Sequence, residues 1–145
     1  MSHTREKSIV SVTWNSHDNE IKSTSNGSIV LIKTPRTPIS ESETGFEAQE
    51  LLLAALGSSI MYEMLKEAYK MRVDLREAKI KVKGISNSRG KMPRFQEINI
   101  QIEAVTGRDE SSKVDDLLRR LEKKSIVFNT IKEPTKIRIK ATFEL

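Results

Sequence analysis

The stretch EAQELLLAALGSSIMYEMLKEAYKM, residues 47–71, constrains this chain more than any other. It is rich in Leu, Ala, Met, Glu and Lys, which favour helix, and it contains no proline. Its composition predicts one helix over 47–71. From Leu51 to Met61 that helix is apolar almost all round, interrupted only by Gly57, Ser58 and Ser59. A helix apolar on every side has to be covered on every side. Its second half turns amphipathic, with Glu63, Lys66, Glu67 and Lys70 assigned to the wet face and Met61 and Met64 to the core. The fold must take this helix into its centre and release it at the far end. Gly57 inside a helix costs roughly 1 kcal/mol against alanine, so close approach of another backbone is expected there.

The rest of the chain offers strands to cover it. Residues 8–14 (SIVSVTW) are β-rich, residues 19–25 form a weaker strand, and residues 28–33 (SIVLIK) form the next. Asn26-Gly27 between the last two is a hairpin signal, so the opening third reads as a β-meander. Residues 34–46 hold two prolines, a glycine and several Ser/Thr, and read as a long loop. Residues 76–85 alternate, with Ala78, Ile80 and Val82 inward and Lys79, Lys81 and Lys83 outward. Residues 94–105 repeat the pattern, with Ile98, Ile100, Ile102 and Ala104 inward and Glu97, Asn99, Gln101 and Glu103 outward. A lysine face beside a glutamate face is charge-complementary, which predicts an antiparallel hairpin looped through 87–93. Residues 109–124 follow as a second helix, with Ser112 and Asp115 resembling a capping box. Val114, Leu117, Leu118 and Leu121 form its apolar stripe, and Ser125, four residues after Leu121, falls on the same stripe. Residues 136–144 are expected to close the fold as a strand, with Ile137, Ile139, Ala141 and Phe143 inward. The order is that of an α+β protein in a single domain, 1–145.

Composition removes several functions. The chain has no cysteine, which excludes disulfides, thiolate metal sites and cysteine nucleophiles together. His3 and His17 are its only histidines, too few for a histidine-rich zinc site, so no metal and no cofactor is expected. No run of 18 apolar residues is present, and the first residues lack the apolar core of a signal peptide, so a cytoplasmic location is expected. A net charge of +5 and a pI near 9.5 fit a nucleic-acid-binding module. With 5% aromatic residues, a base-stacking surface is not indicated.

Two motifs carry a resemblance. Gly45-Phe46-Glu47-Ala48-Gln49-Glu50-Leu51-Leu52-Leu53-Ala54-Ala55-Leu56-Gly57-Ser58-Ser59 is similar to the G-T-N-P-E-E-L-L-x-A-A-L-x-x-C helix signature of the OsmC/Ohr family. Glu122-Lys123-Lys124-Ser125-Ile126-Val127-Phe128-Asn129-Thr130 resembles that family's E-K-x-C-P-V-x-N-T segment. The separation of the motifs and the order of elements fit as well. The resemblance implies antiparallel sheets around two central helices, an intertwined homodimer, and a pocket at the subunit interface that accepts apolar hydroperoxides.

On this register Ser59 stands where the family has its peroxide-attacking cysteine, and Ser125 where it has the resolving one. Gln49 stands where a family glutamate holds the catalytic arginine. Counting back from Thr34-Pro35-Arg36, which resembles the family's T-P-R, places His17 near that arginine, with Glu50 or Arg36 as a displaced partner. Peroxide reduction needs a thiolate, a sulfenic acid intermediate and a second thiol. Serine cannot cycle through a sulfenate. The resemblance therefore implies a member without thiol peroxidase chemistry, binding a small apolar ligand in a pocket of Arg36, Glu50, Ser59, Met61 and Ser125. Two alternatives stand beside it: a non-thiol enzyme using His17 or Glu50 as acid or base, and the basic nucleic-acid-binding module. On the plainer reading, Ser58 and Ser59 are small packing residues bonded to the carbonyl one turn back.

Overall fold

The computed structural model describes residues 7–35, 45–87, 92–107 and 111–142. These fall into two compact units, Met1–Leu52 and Leu53–Leu145. Arg36, Pro38 and Phe143 lie outside the described residues.

The first unit is the expected β-meander. Strands β1 (Ser11–Thr13), β2 (Ile21–Ser25) and β3 (Ser28–Ile32) form an antiparallel sheet in that order. β1 is shorter than the β-rich run around it. Asn26 and Gly27 turn the β2–β3 hairpin with φ of 48° and 82°, the left-handed pair that a two-residue turn of this hand requires. Beyond the loop, Phe46 is strapped alongside β3: its N–H donates to the Leu31 carbonyl, and its own carbonyl accepts from Lys33 N–H. Gly45 makes that approach possible. A Cβ there would sit 2.6 Å from the Leu31 carbonyl oxygen, and its φ of 109° belongs to glycine. Helix α1 (Ala48–Met71) starts at this strap. Glu50 Oε1 accepts from the Glu47 N–H at 2.8 Å, the returning half of a capping box.

The second unit contains the core. β4 (Leu75–Asn87) and β5 (Arg94–Thr106) pair antiparallel, with Lys79 opposite Glu103, Ile80 opposite Ile102 and Val82 opposite Ile100. The alternation in the sequence thus sets which face of the hairpin points inward. α1 lays Leu56, Ile60, Met64 and Ala68 into this core. Helix α2 (Ser111–Lys124) adds Leu117 and Leu121, at 1% and 3% exposure. Ser112 lies inside the first turn of α2 rather than ahead of it. α1 ends in a Schellman motif. Arg72 is left-handed, Val73 N–H donates to the Ala68 carbonyl at 2.9 Å, and both of those side chains are buried.

The first half of α1 keeps open positions in the single chain: Leu52 is 44% exposed, and Ala54 and Ala55 are exposed. Four expectations are corrected. Gly57 is approached by side chains, Val82 and Ile80 of β4, rather than by another backbone. Glu67 is not on a wet face; it is fully buried. The chain after α2 continues into a short third helix, α3 (Ile126–Lys132), that periodicity did not indicate. The described residues of the expected last strand pair with no strand, and Ile137 and Ile139 stand open to solvent. Alternation in 136–144 supplies an apolar edge, but a strand also needs a partner edge for its N–H and C=O groups. No helix among the described residues is long and apolar enough to cross a membrane.

Candidate functional site

Ser59 and Ser125 meet. Their Oγ atoms lie 2.7 Å apart although 66 residues separate them in sequence. α1 presents Ser59, half-buried, in its middle. Ser125 is the N-cap of α3: its backbone is extended, with φ −74° and ψ 115°. Its hydroxyl accepts from Phe128 N–H at 3.1 Å, and its carbonyl accepts from Asn129 N–H. The side chain is completely buried. Both of its hydrogen-bond contacts are inside the protein, which compensates the loss of water. The serines that match the family's cysteine positions are therefore a contacting hydroxyl pair. Ser59 reaches across to another element, beyond the backbone packing role of the plainer reading.

No base among the described residues is hydrogen-bonded to the pair. Among the described residues, the hydrogen bonds made by these two hydroxyls run to each other and to the Phe128 amide, with no histidine or carboxylate in the chain of contacts. A serine nucleophile needs an adjacent base oriented by a third group. His17 sits exposed in a turn of the first unit, where Asn15 Oδ1 accepts from the His17 and Asp18 N–H groups. Glu20 N–H donates to Asp18 there and holds that carboxyl below its usual range, assisted by Lys22. Gln49 Nε2 donates to Glu47 Oε2 at 2.7 Å, and Glu50 is committed to the helix start. Met61 packs against the core.

Two apolar clefts lie in the second unit and share Ile100 and Phe128. The larger, about 210 Å³, is bounded by Ile60, Ile102, Leu118, Leu121 and Glu122 as well. The smaller, about 120 Å³, adds Leu56, Ile98, Ile131 and Lys132, whose ammonium lies 5.8 Å from the centre of the Phe128 ring. None of Ser59, Met61 and Ser125 is in either lining. They adjoin it: Ile60 lies between Ser59 and Met61, and the Ser125 hydroxyl caps the amide of Phe128.

The sequence reading missed a charged cluster beside the pair. Glu67 Oε1 accepts from Lys124 Nζ, and Oε2 accepts from Arg120 Nη1 at 3.4 Å. Lys70 lies 3.6 Å away, and Asp116 takes the other Arg120 nitrogen. Lys124 foremost holds the Glu67 carboxyl below the usual carboxylate range against the opposing effect of burial; Lys70 and Arg120 add to it. One turn back, Glu63 Oε2 is buried without a hydrogen bond among the described residues, with Lys66 at 3.7 Å. The i,i+3 pairing of Glu67 with Lys70 was visible in the sequence, but such pairs usually mark a solvated face.

The Glu67 shift carries a pH dependence with a definite sign. A carboxyl whose folded value is depressed contributes stability above its unfolded value, and that contribution is lost as pH falls through the folded one. Stability from Glu67 is thus intact at neutral pH and declines below the ordinary glutamate value of about 4.3. Thermal melts taken from about pH 6 down to pH 3 are expected to fall more steeply for the wild type than for Glu67→Gln. Parallel curves would contradict this assignment.

Comparison with known proteins places these features. The family model for OsmC-like protein matches residues 41–140. No curated protein matches the sequence. Among solved structures, an OsmC-like protein from Mycoplasma pneumoniae shares the fold with a TM-score of 0.75 at 15% identity, covering 89% of both chains. An OsmC-like protein of unknown function from Vibrio cholerae gives 0.74 at 17% identity, over 87% of this chain and 94% of that one. An organic hydroperoxide resistance protein of Bacillus subtilis gives 0.56 at 13% identity, over 86% and 90%. With the family match spanning well over half its length, this chain belongs to the OsmC family, as a member with no cysteine at all.

Proposed function

We propose that this protein is an OsmC-family member without thiol peroxidase chemistry, which binds a small apolar or amphipathic ligand as a cytoplasmic homodimer. The observation that carries the reading is the hydroxyl pair, Ser59 and Ser125, in contact at 2.7 Å where the motif register puts the family's two cysteines. A pair held at that distance retains the geometry of a dithiol while lacking sulfur. Neither hydroxyl can form a sulfenate or close a disulfide. The apolar clefts beside it fit a ligand below drug size, since clefts for drug-sized molecules run to about 300–1,000 Å³. Dimerisation is supported by the apolar side chains left open in the single chain, Leu52, Tyr69, Ile137 and Ile139 among them.

The test is a coupled assay with cumene hydroperoxide and a dithiol donor. Turnover is expected to equal that of a heat-killed control. Turnover above it would sink the reading. Sedimentation equilibrium is expected to give twice the chain mass, and a monomer at micromolar concentration would remove the dimer from it.

A further inference from the structure

We infer that Glu67 is the positioning residue of the serine pair: it locks the end of α2 onto α1 and so sets where Ser125 stands relative to Ser59. This rests on the pair being the site, and on nothing about which ligand it serves.

The geometry is direct. Lys124 is the last residue of α2, and Ser125 follows it as the cap of α3. Glu67 holds Lys124 with one carboxylate oxygen and Arg120, one turn earlier on α2, with the other. Two grips one turn apart restrain both sliding and rotation of that helix end. Ser59 lies eight residues before Glu67 on α1, about 12 Å along the axis. α1 therefore meets the segment 120–125 at two points, a charged one at Glu67 and a hydroxyl one at Ser59.

Burial argues that the carboxylate has a positional role. Glu67 is at 0% exposure, while the side chains of Lys70, Arg120 and Lys124 remain 43–55% exposed. Its partners thus bring their charged ends to the carboxylate while about half of each side chain stays open to water. A well-packed apolar residue is often at least as stabilising in such a place, whereas a charged group selects one arrangement of its partners. Here the selected arrangement ends one residue from the site. The groups that face Glu67 are Lys70 on its own helix and Arg120 and Lys124 on α2, with Asp116 bonded to Arg120.

The experiment uses cysteines as a ruler. In a Ser59→Cys/Ser125→Cys parent, the two thiols pass two electrons and two protons to oxidised glutathione; its S–S bond breaks to give two molecules of reduced glutathione as the protein S–S bond forms. The equilibrium constant in glutathione buffers reports how well the two positions are held together. Adding Glu67→Gln is expected to lower that constant by about tenfold, the scale of coupling between groups in one network. Lys124→Arg, which keeps the charge and donors, is expected to stay within about twofold. Val73→Ala, a core change that weakens stability without touching the lock, should leave the constant unchanged. If Glu67→Gln folds poorly, Lys124→Met removes the principal partner and should lower the constant in the same direction. An unchanged constant in the Glu67 or Lys124→Met variant would overturn the inference, as would an equal fall in Val73→Ala. Because the readout involves neither ligand nor peroxide turnover, failure of the ligand-binding reading would leave this result standing.

Discussion

Ser59→Cys/Ser125→Cys protein is expected to close an intrachain disulfide under mild oxidation and to gain marked stability. The two Oγ atoms already lie 2.7 Å apart, and a disulfide brings its sulfurs to about 2.05 Å. The helix that carries Ser59 and the cap that carries Ser125 need to shift little. The bridge would close a loop of 66 residues. Restricting the unfolded chain over a loop of that size is worth about 4 kcal/mol on the chain-entropy account, before any strain is subtracted. Thiol titration should show both thiols consumed by oxidised glutathione. The melting temperature should be several degrees higher without reductant than with it. Two free thiols after prolonged oxidation would mean that the serine pair is not held as described. Each single variant is expected to show no such redox-dependent stability, which separates the bridge from an effect of sulfur itself.

Leu117→Ala is expected to be among the most damaging single changes outside that pair. Leu117 is 1% exposed and packs in the cluster with Leu56, Ile60, Met64 and Leu121. Truncating a buried leucine removes its transfer energy and leaves a cavity, at about 2–5 kcal/mol. The loss is expected near the upper end, because the side chain joins α2 to the core made by α1 and the β4–β5 hairpin. Denaturant unfolding should show a lower midpoint with an unchanged slope. Val114→Ala, one turn earlier on the same stripe and only half-buried, should cost distinctly less. Equal costs at the two positions would show that α2 is not seated through Leu117.

How much of this was legible in advance depends on whether local pattern carried the information. The β4–β5 hairpin and its inward face were legible, because residues of alternating character can pair in only one phase without turning Ile80, Val82, Ile100 and Ile102 outward. The Asn26-Gly27 hairpin was legible, because the turn demands left-handed residues. The end of α1 was not: Arg72 takes the left-handed position usually marked by glycine, held there by burial of Ala68 and Val73. Helix α3 was hidden for a similar reason. Ser125 follows the stripe of α2 in phase, so periodicity read it as an end, whereas its hydroxyl starts a new helix. Glu67 was misplaced because a carboxylate on an amphipathic helix is ordinarily solvated, and only the approach of Lys124 and Arg120 makes its burial tolerable.

The long helix over residues 47–71 shows the division most clearly. The sequence alone determined that residues 47–71 form a helix, that its first half is apolar on all sides, and that the protein carries no thiol. Those properties reside in residue identity and spacing, and need no neighbour to be read. Only the tertiary structure decided which stripe of that helix meets the core, that Ser59 touches Ser125 across 66 residues, and that Glu67 lies buried under three cations. Contacts between residues far apart in sequence depend on where the helices are seated. That seating comes from packing and charge compensation summed over the unit, which no local window of sequence contains.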